Sequence, residues 1–411
     1  MNRLVCVLVC ALFLSGCSWL WNDENKGDAG QAEVSEATSF DDDAFDDTDE
    51  EEQAEIEPKD LESIDATVNI KKIWRKSIGS SEEVYLPTLH PALFDGYVYA
   101  ASNQGRISAW SIDNGKRLWR TDLDSPLTGG VGVGAGLVAV GTSKGELIAL
   151  DAMTGEELWR VSLSSEILSA PTAFGEMLVA QTQDGIVYGL SVASGEEVWR
   201  YIVEVPVLTL RGTAAPLMTE RLVITGFASG KLVALNSATG ALLWEAKLAT
   251  GEGKTELEKM VDVNSPVMGD GVVYATSYQG RAGAFSRGTG RELWAQKSSS
   301  YHPPAFARGR LFVVDTQDQV LRLRSSGGRA EWTNSDLLRR SLTPPLAVGS
   351  YLLVADGEGY LHALSQTDGS IVGRVKVDGD GVSVAMVTDG ETIFVQDNND
   401  DLTAYQLQEK E

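Results

Sequence analysis

The chain has 411 residues and a formal net charge of −25, with 43% hydrophobic and 23% charged residues. This balance is typical of a globular chain and excludes a wholly disordered one. The N-terminal apolar run, residues 4–14, is shorter than the roughly 20 residues that a membrane-spanning helix needs.

The N-terminus has the features of an export signal. Arg3 precedes the apolar run, which ends in Leu14-Ser15-Gly16-Cys17. This tetrapeptide resembles the lipobox of bacterial lipoproteins, which implies that residues 1–16 are a signal peptide and that Cys17 is lipidated. The alternative is an ordinary signal peptide with an incidental cysteine. Ser18 follows instead of aspartate, which by the same resemblance favours the outer membrane, where acyl chains anchor a protein without spanning the bilayer.

The next segment, residues 17–66, is strongly acidic. Residues 22–66 contain 19 acidic and 2 basic side chains, whereas residues 67–411 contain 40 and 31. Such a density of like charge keeps a chain extended, so we predict a disordered tether over 17–66. No glycine marks a Ca²⁺-loop turn in the acidic runs, so we predict no metal site there. The mildly acidic body argues against nucleic acid as a partner.

Beyond residue 66 the sequence repeats. A Gly-x-x-x-Ala-Leu phrase, such as the one from Gly145 to Leu150, occurs with variations six times, and weaker copies begin at Asp318 and Asp400. A second glycine lies ten residues after the first residue of the phrase, and a tryptophan lies four residues after that glycine. The tryptophans are Trp119, Trp159, Trp199, Trp244, Trp294 and Trp332, and Gly373 replaces the seventh.

Each copy encodes four short strands, because apolar runs alternate with turn residues such as Asp151 and Gly155. Four strands in roughly 40 residues indicate a propeller blade. The first Trp strand, at Trp74, lacks a preceding phrase, and the last phrase, at 402–405, lacks a following Trp strand. We therefore predict an all-β, eight-bladed β-propeller over residues 67–411, closed by the N- and C-terminal strands in one blade.

The Asp/Asn-x-x-Thr-Gly-x-x-x-Trp phrase resembles the tryptophan-docking repeat of PQQ-like quinoprotein propellers, over most of residues 70–407. Two groups share this repeat: PQQ-dependent dehydrogenases, and the BamB family of lipoproteins in the outer-membrane β-barrel assembly machine. The enzymes resemble longer chains that often carry a vicinal cysteine pair and Ca²⁺. The lipobox, the short chain and the lack of cysteine in the body match the BamB family. The repeat itself is specific for the fold and not for the chemistry.

A local resemblance indicates site residues. The segment Leu208-Thr-Leu210-Arg211-Gly is similar to the loop that BamB proteins present to the assembly protein BamA. The segment Asp262-Val-Asn264 is similar to the family's Asp-Val-Asp loop, with Asn264 in place of the second aspartate. The resemblance implies that these residues bind the partner. The alternative is that the two leucines belong to the core and that Arg211 pairs with a neighbouring acid.

The lengths of the connections between repeats point to the same two loops, independently of the family resemblance. The first position of the next Gly-x-x-x-Ala-Leu phrase lies 26 residues after Trp119 and after Trp159, 31 residues after Trp199 and 36 residues after Trp244. These insertions fall between blades, on one face of a propeller, where long neighbouring loops tend to carry function. In the second loop, Leu257, Met260 and Val261 have helical spacing and predict a short helix.

The resemblance implies a scaffold without enzymatic activity or cofactor. Its expected partners are the periplasmic domains of BamA, other components of the assembly machine and unfolded outer-membrane proteins. Its expected place is the outer membrane, lipid-anchored and facing the periplasm. Two alternatives stay open: a PQQ-dependent dehydrogenase-like quinoprotein and a generic periplasmic binding propeller.

Two further patterns carry little weight. The stretch from Gly130 to Ala135 matches a dinucleotide-binding phrase, but no helical pattern follows it. The three histidines, His90, His302 and His362, lack the spacing of metal ligands. We therefore predict neither a nucleotide site nor a metal site.

Overall fold

The computed structural model describes residues 57–79, 88–210 and 212–410, in which 32 strands form eight four-stranded sheets. Cys17, the signal peptide predicted over 1–16 and Arg211 lie outside the described residues, so those assignments stay predictions. Within the described ranges there is no helix, and hence none long and apolar enough to cross a membrane.

The strands follow one another blade by blade. The chain opens with β1 (Val68–Ser77). Blade 1 is β2 (Ala92–Phe94), β3 (Tyr97–Ala101), β4 (Arg106–Ser111) and β5 (Arg117–Asp122). Blade 2 is β6 (Leu127–Gly134), β7 (Leu137–Thr142), β8 (Glu146–Asp151) and β9 (Glu157–Ser162). Blade 3 is β10 (Thr172–Phe174), β11 (Met177–Gln181), β12 (Ile186–Ser191) and β13 (Glu197–Ile202). Blade 4 is β14 (Leu217–Met218), β15 (Leu222–Gly226), β16 (Lys231–Asn236) and β17 (Leu242–Lys247).

The second half continues in the same order. Blade 5 is β18 (Val267–Gly269), β19 (Val272–Thr276), β20 (Arg281–Ser286) and β21 (Glu292–Lys297). Blade 6 is β22 (Ala305–Ala307), β23 (Arg310–Val314), β24 (Val320–Arg324) and β25 (Ala330–Asn334). Blade 7 is β26 (Leu346–Val348), β27 (Tyr351–Ala355), β28 (Tyr360–Ser365) and β29 (Ile371–Lys376). Blade 8 combines β30 (Val387–Thr388), β31 (Thr392–Gln396) and β32 (Asp401–Glu409) with β1.

The two ends of the propeller share blade 8. Strand β1 pairs antiparallel with β32, from Val68 opposite Glu409 to Ser77 opposite Asp401. The inner strand β2 contacts both β6 of blade 2 and β30 of blade 8, so the ring is closed. The eight-bladed propeller and its closure by both termini are thus confirmed.

Seven tryptophans, one on the outer strand of every blade except blade 7, dock on the next blade. Each indole Nε1 donates a hydrogen bond to a carbonyl oxygen in the turn of the following blade, and each ring lies on the glycine of that turn. A Cβ on Gly195 would lie 2.5 Å from the Trp159 ring, and its φ of +72° favours glycine. The donor–acceptor pairs, at 2.6–3.3 Å, are Trp74–Ile112, Trp119–Ala152, Trp159–Val192, Trp199–Ser237, Trp244–Arg287, Trp294–Ser325 and Trp332–Gln366.

Blade 7 has Gly373 at the tryptophan position for a structural reason. Blade 8 has no turn between its third and fourth strands, because these strands come from opposite ends of the chain. The start of β1 occupies the space instead, and a Cβ on Gly373 would lie 2.8 Å from the Val68 carbonyl oxygen. A tryptophan would displace the strand that closes the ring.

The core is divided among the blade interfaces. Eight clusters of buried side chains lie between successive blades in the described ranges. Between blades 1 and 2, for example, Tyr99 and Trp119 pack against Val138 and Ile148. The middle strands of each blade are buried on both faces, so they read as continuous apolar runs, while the outer strands alternate.

The described part of the predicted tether lies against blade 7. The Lys59 N–H donates to the Leu338 carbonyl oxygen at 3.0 Å, and Arg340 donates to the Lys59 carbonyl oxygen at 2.9 Å. Arg374 donates to the Glu62 carbonyl oxygen at 2.9 Å, and Leu61 packs against the core between blades 6 and 7. Backbone carbonyl groups, not the acidic side chains, make these contacts with arginine.

Candidate functional site

The two long insertions lie side by side on one face of the ring. Residues 203–216 join blades 3 and 4, and residues 248–266 join blades 4 and 5, whereas residues 123–126 suffice between blades 1 and 2. We call the face formed by these connections the loop face. The opposite face, formed by the turns between first and second and between third and fourth strands, is the turn face.

A half-buried carboxylate joins the two loops. Asp262 Oδ2 accepts a hydrogen bond from the Leu210 N–H at 2.8 Å. Gln183 Nε2 donates to the Leu210 carbonyl oxygen at 3.2 Å and to Thr209 Oγ1 at 3.1 Å. The Leu210 peptide groups are therefore held on both sides. Burial raises the pKa of Asp262 to about 6, although the Leu210 N–H opposes this rise.

Asn264 anchors the base of its loop from within. Its Nδ2 donates to Thr276 Oγ1 at 3.1 Å and to the Ser300 carbonyl oxygen at 2.9 Å, and its backbone N–H donates to the Thr276 carbonyl oxygen at 2.9 Å. These bonds connect the 248–266 loop to blade 5 and to the connection that follows it. The amide supplies donors that an aspartate would lack. Asn264 thus positions the loop through its half-buried side chain.

The tip of the 203–216 loop exposes apolar side chains. Val207 is 99% exposed and Leu208 is 40% exposed, while Leu210 is half-buried. Leu208 is therefore not a core residue in this fold. Exposed apolar side chains on a loop held by hydrogen bonds are typical of a protein-binding surface.

A cavity of about 520 Å³ opens beside these loops. Leu210, Asp262 and Asn264 line it, together with Phe227 and the half-buried His302. Burial lowers the pKa of His302 to about 4, so this ring is neutral at pH 7.

The cavity does not fit a Ca²⁺–quinone group. Ca²⁺ needs six to eight oxygen ligands in general, and Asp262 is the one carboxylate among the described lining residues. No lysine or arginine lines the described wall to receive the carboxylates of the quinone. The part of the chain that the structure describes contains no cluster of three or more acidic, histidine or cysteine side chains suited to a metal.

The predicted helix in the 248–266 loop is wrong. The Glu258 carboxylate accepts hydrogen bonds from the N–H groups of Lys254 and Thr255, but the segment forms only turns. Met260 and Val261 are drawn into the core, and Val261 forms a parallel bridge with Ser229. Tertiary pairing overrides the helical spacing and leaves Leu257 exposed.

Sequence reasoning missed two residues of this face. Val207 directly precedes Leu208, and its apolar side chain gave no sequence signal for its 99% exposure. Gln183 lies in a turn of blade 3 and carries no sequence signal, since its role depends on a loop that lies 26 residues away.

Comparison with known proteins identifies the family. A family model described as outer membrane protein assembly factor BamB matches residues 65–127, 103–334 and 336–410. The protein of that name from Pseudomonas aeruginosa is 50% identical over 354 residues, which cover 86% of this chain and 93% of the relative. The Escherichia coli protein of that name is 36% identical over 334 residues, covering 79% and 85%. The chain belongs to the BamB family.

Solved structures agree with this membership. The crystal structure of BamB from Moraxella catarrhalis superposes with a TM-score of 0.76 at 29% identity, covering 82% of this chain and 99% of that one. A quinohemoprotein alcohol dehydrogenase from Comamonas testosteroni superposes with a TM-score of 0.63 at 15% identity, which shows a shared fold alone. The BamB relatives are named as factors for outer-membrane protein assembly, and not as enzymes.

Proposed function

We propose that this BamB-family chain is a non-enzymatic scaffold lipoprotein of the outer-membrane β-barrel assembly machine. Its lipid anchor is Cys17, its place is the periplasmic side of the outer membrane, and it works with other components of the machine on unfolded β-barrel proteins. Family membership and the Leu-Ser-Gly-Cys signal at residues 14–17 support this assignment.

We further propose that the loop face binds the periplasmic domains of BamA. The observation that carries this proposal is the 2.8 Å hydrogen bond from the Leu210 N–H to Asp262, which joins both long loops beside the exposed Val207 and Leu208. A loop that is already ordered loses little conformational entropy on binding, so its apolar side chains contribute more of their burial to affinity. Arg211, adjacent in sequence, belongs to the same proposed site.

Calorimetric titration of the detergent-solubilised full-length chain with the periplasmic domains of BamA tests the proposal. Leu208→Ala with Leu210→Ala should weaken binding by about tenfold or more, because central apolar contacts dominate interface energies. The matched control is Leu158→Ala with Leu243→Ala, two leucines that are 52% and 50% exposed on outer strands. The control should bind like the wild type.

Each other outcome has a definite meaning. Wild-type affinity in the Leu208 and Leu210 variant would move the BamA site away from the loop face. No binding by the wild type would refute BamA as the partner and favour a generic binding propeller. A quinone absorbance band after incubation with PQQ and Ca²⁺ would support the dehydrogenase alternative, which the cavity lining does not favour.

A further inference from the structure

The turn face carries an uneven charge. Blades 5 and 6 expose five arginines there, which we call the arginine patch. The patch comprises Arg287, Arg291, Arg308, Arg324 and Arg329. Blades 2 and 3 expose five glutamates on the same face: Glu156, Glu157, Glu176, Glu196 and Glu197. Blade 5 also exposes two acids there, Asp270 and Glu292, and Glu292 pairs with Arg281 at 3.2 Å. In a chain of net charge −25, a concentration of arginine on two neighbouring blades stands apart from its surroundings.

The turn of blade 6 differs from its counterparts at its first residue. In blade 2, Asp151 Oδ1 accepts hydrogen bonds from the N–H groups of Met153 and Thr154 at 2.9 and 2.8 Å. Asn236 does the same in blade 4 for the residues two and three positions later, both at 3.0 Å. The position is Ser, Asp or Asn in the six other blades that have this turn, but Arg324 in blade 6.

The backbone of this turn is otherwise the same. The Gly328 N–H donates to the Arg324 carbonyl oxygen at 2.9 Å, as the Gly155 N–H does to the Asp151 carbonyl oxygen. The exposed N–H groups of Ser326 and Gly327 have no acceptor in the described chain, as is also true of the corresponding groups that follow Ser111 and Ser191 in blades 1 and 3. Blade 6 differs because arginines, Arg324 and Arg329, lie on both sides of these two donors.

The arginines around this turn outnumber the acidic side chains that pair with them. Glu331 contacts three guanidinium groups, those of Arg310 at 2.5 Å, Arg322 at 2.9 Å and Arg324 at 3.1 Å. The Arg324 side chain is still 51% exposed, and Arg329 has no acidic partner in the described chain. At least two arginines thus remain available to an external anion.

A shallow cleft of about 330 Å³ adjoins the turn and adds apolar surface. It is lined by Ser326 and Gly327 on one side and by Leu293, Trp294 and Asp270 on the other. Leu293 is 43% exposed. Asp270 is the one carboxylate in this lining, and it would repel an anion placed deep in the cleft. The anion therefore belongs at the arginine side and an apolar group in the cleft.

We propose that the arginine patch binds an acidic peptide segment of a partner protein. A carboxylate of the segment accepts hydrogen bonds from the Ser326 and Gly327 N–H groups and pairs with Arg324 and Arg329, and a neighbouring apolar side chain packs on Leu293. Bidentate arginine–carboxylate pairing makes such contacts specific as well as attractive.

The charge distribution favours a peptide over an anionic membrane. A flat bilayer would meet the whole turn face, including the glutamates of blades 2 and 3, whereas a short segment contacts blades 5 and 6 alone. The patch lies on the opposite face from Leu208 and Leu210, so it leaves the loop face free. The inference is independent of BamA as the partner of that face.

The test is fluorescence anisotropy of the full-length chain with a fluorescein-labelled Glu-Asp-Leu-Glu-Asp-Leu peptide. Arg324→Asp with Arg329→Glu gives blade 6 the residues of blade 2 and should weaken binding by about tenfold or more. The matched control is Lys116→Glu with Arg117→Glu, which makes the same change in net charge on the turn face of blade 1. It should weaken binding less than about threefold, through long-range attraction alone.

Four results would overturn the proposal. Three concern the peptides: no binding by the wild type, an equal loss of binding in both variants, or equal binding of the uncharged Gln-Asn-Leu-Gln-Asn-Leu peptide. The fourth is sedimentation with phosphatidylglycerol vesicles that depends on the arginine patch and occurs without peptide binding. The last result would replace the peptide by a membrane. Arg329→Glu alone keeps the test decisive if the double variant fails to fold, because Arg329 makes no ion pair in the described chain. This single variant should also weaken peptide binding severalfold.

Discussion

Arg75 holds together the blade that closes the ring. From strand β1 its guanidinium contacts Asp378 at 2.6 Å, Asp397 at 3.0 Å and Asp401 at 2.7 Å. These carboxylates come from the connection between blades 7 and 8, from a turn of blade 8 and from β32. The side chain of Asp397 is fully buried. Removing the cation would leave three neighbouring carboxylates without the charge that neutralises them.

Arg75→Ala should therefore destabilise the fold, and more at pH 8 than at pH 5. Breaking a buried ion pair costs about 3–5 kcal/mol, and the partial exposure of Arg75 reduces the expected loss to about 2–3 kcal/mol at pH 8. Burial raises the pKa of Asp397 to about 6, although the Asp401 N–H and Arg75 both oppose this rise. The pKa in the folded chain is thus above the unfolded value, so ionisation of Asp397 costs stability as pH rises through 6.

Without Arg75, the pKa of Asp397 should rise further, and protonation at pH 5 should relieve part of the repulsion. A tenfold change in proton affinity corresponds to about 1.4 kcal/mol, which sets the expected scale of the difference between the two pH values. Urea unfolding followed by circular dichroism at pH 5 and pH 8 measures it. Arg120→Ala, which removes exposed contacts to Asp122, is the control and should cost less than about 1 kcal/mol at either pH. Equal losses for Arg75→Ala at both pH values would refute the reasoning.

Three further predictions concern the blade joints and the loop face. Trp199→Phe removes the 3.0 Å hydrogen bond to the Ser237 carbonyl oxygen but keeps an aromatic ring, and should cost about 1–2 kcal/mol in urea unfolding. Gly195→Ala places a Cβ 2.5 Å from the Trp159 ring at a φ of +72°, and should cost about 2 kcal/mol or more, so an unchanged unfolding midpoint would contradict the packing argument. Asp262 has a raised pKa of about 6, so its carboxylate protonates and accepts the Leu210 N–H more weakly as pH falls from 7.5 to 5; BamA affinity should fall severalfold over this range, and calorimetry of Asp262→Asn should show a flatter pH dependence.

The blade pattern could be predicted from the sequence because its requirements are local and repeated. Each turn needs a residue with positive φ four positions before the tryptophan, and glycine meets that need without strain, as at Gly195. Six copies of this glycine–tryptophan pair fix the register of blades 1 to 6. The propeller begins with a single outer strand and ends with three strands that lack one. These two incomplete blades complete each other, and this predicted the pairing of β1 with β32.

The structure of the loop face depends on tertiary contacts that cannot be predicted from the spacing of residues in the sequence. The short-helix prediction failed because Val261 pairs with Ser229, and this pairing was not visible in the helical spacing of the apolar residues. Gln183 reaches the Leu210 carbonyl oxygen only because blade 3 brings its turn beneath the loop. Asn264 looked like an altered binding residue, but its side chain is bonded inside the protein.

Two residues that differ from the repeat, Gly373 and Arg324, do so for different physical reasons. One difference serves the stability of the fold, and the other is related to binding. Gly373 departs because the closing strand occupies the space of a tryptophan, so that departure serves the fold. Arg324 departs at a position that is Ser, Asp or Asn in every other such turn, and the backbone hydrogen bond of the turn is kept. The neighbouring Trp294 docks on the Ser325 carbonyl oxygen as in the other blades, so tryptophan docking does not require an arginine there, although Arg324 also pairs with Glu331 at 3.1 Å. The Arg324 side chain is still 51% exposed and lies beside Arg329 and two exposed N–H groups, and this arrangement supports the proposal of an anionic ligand.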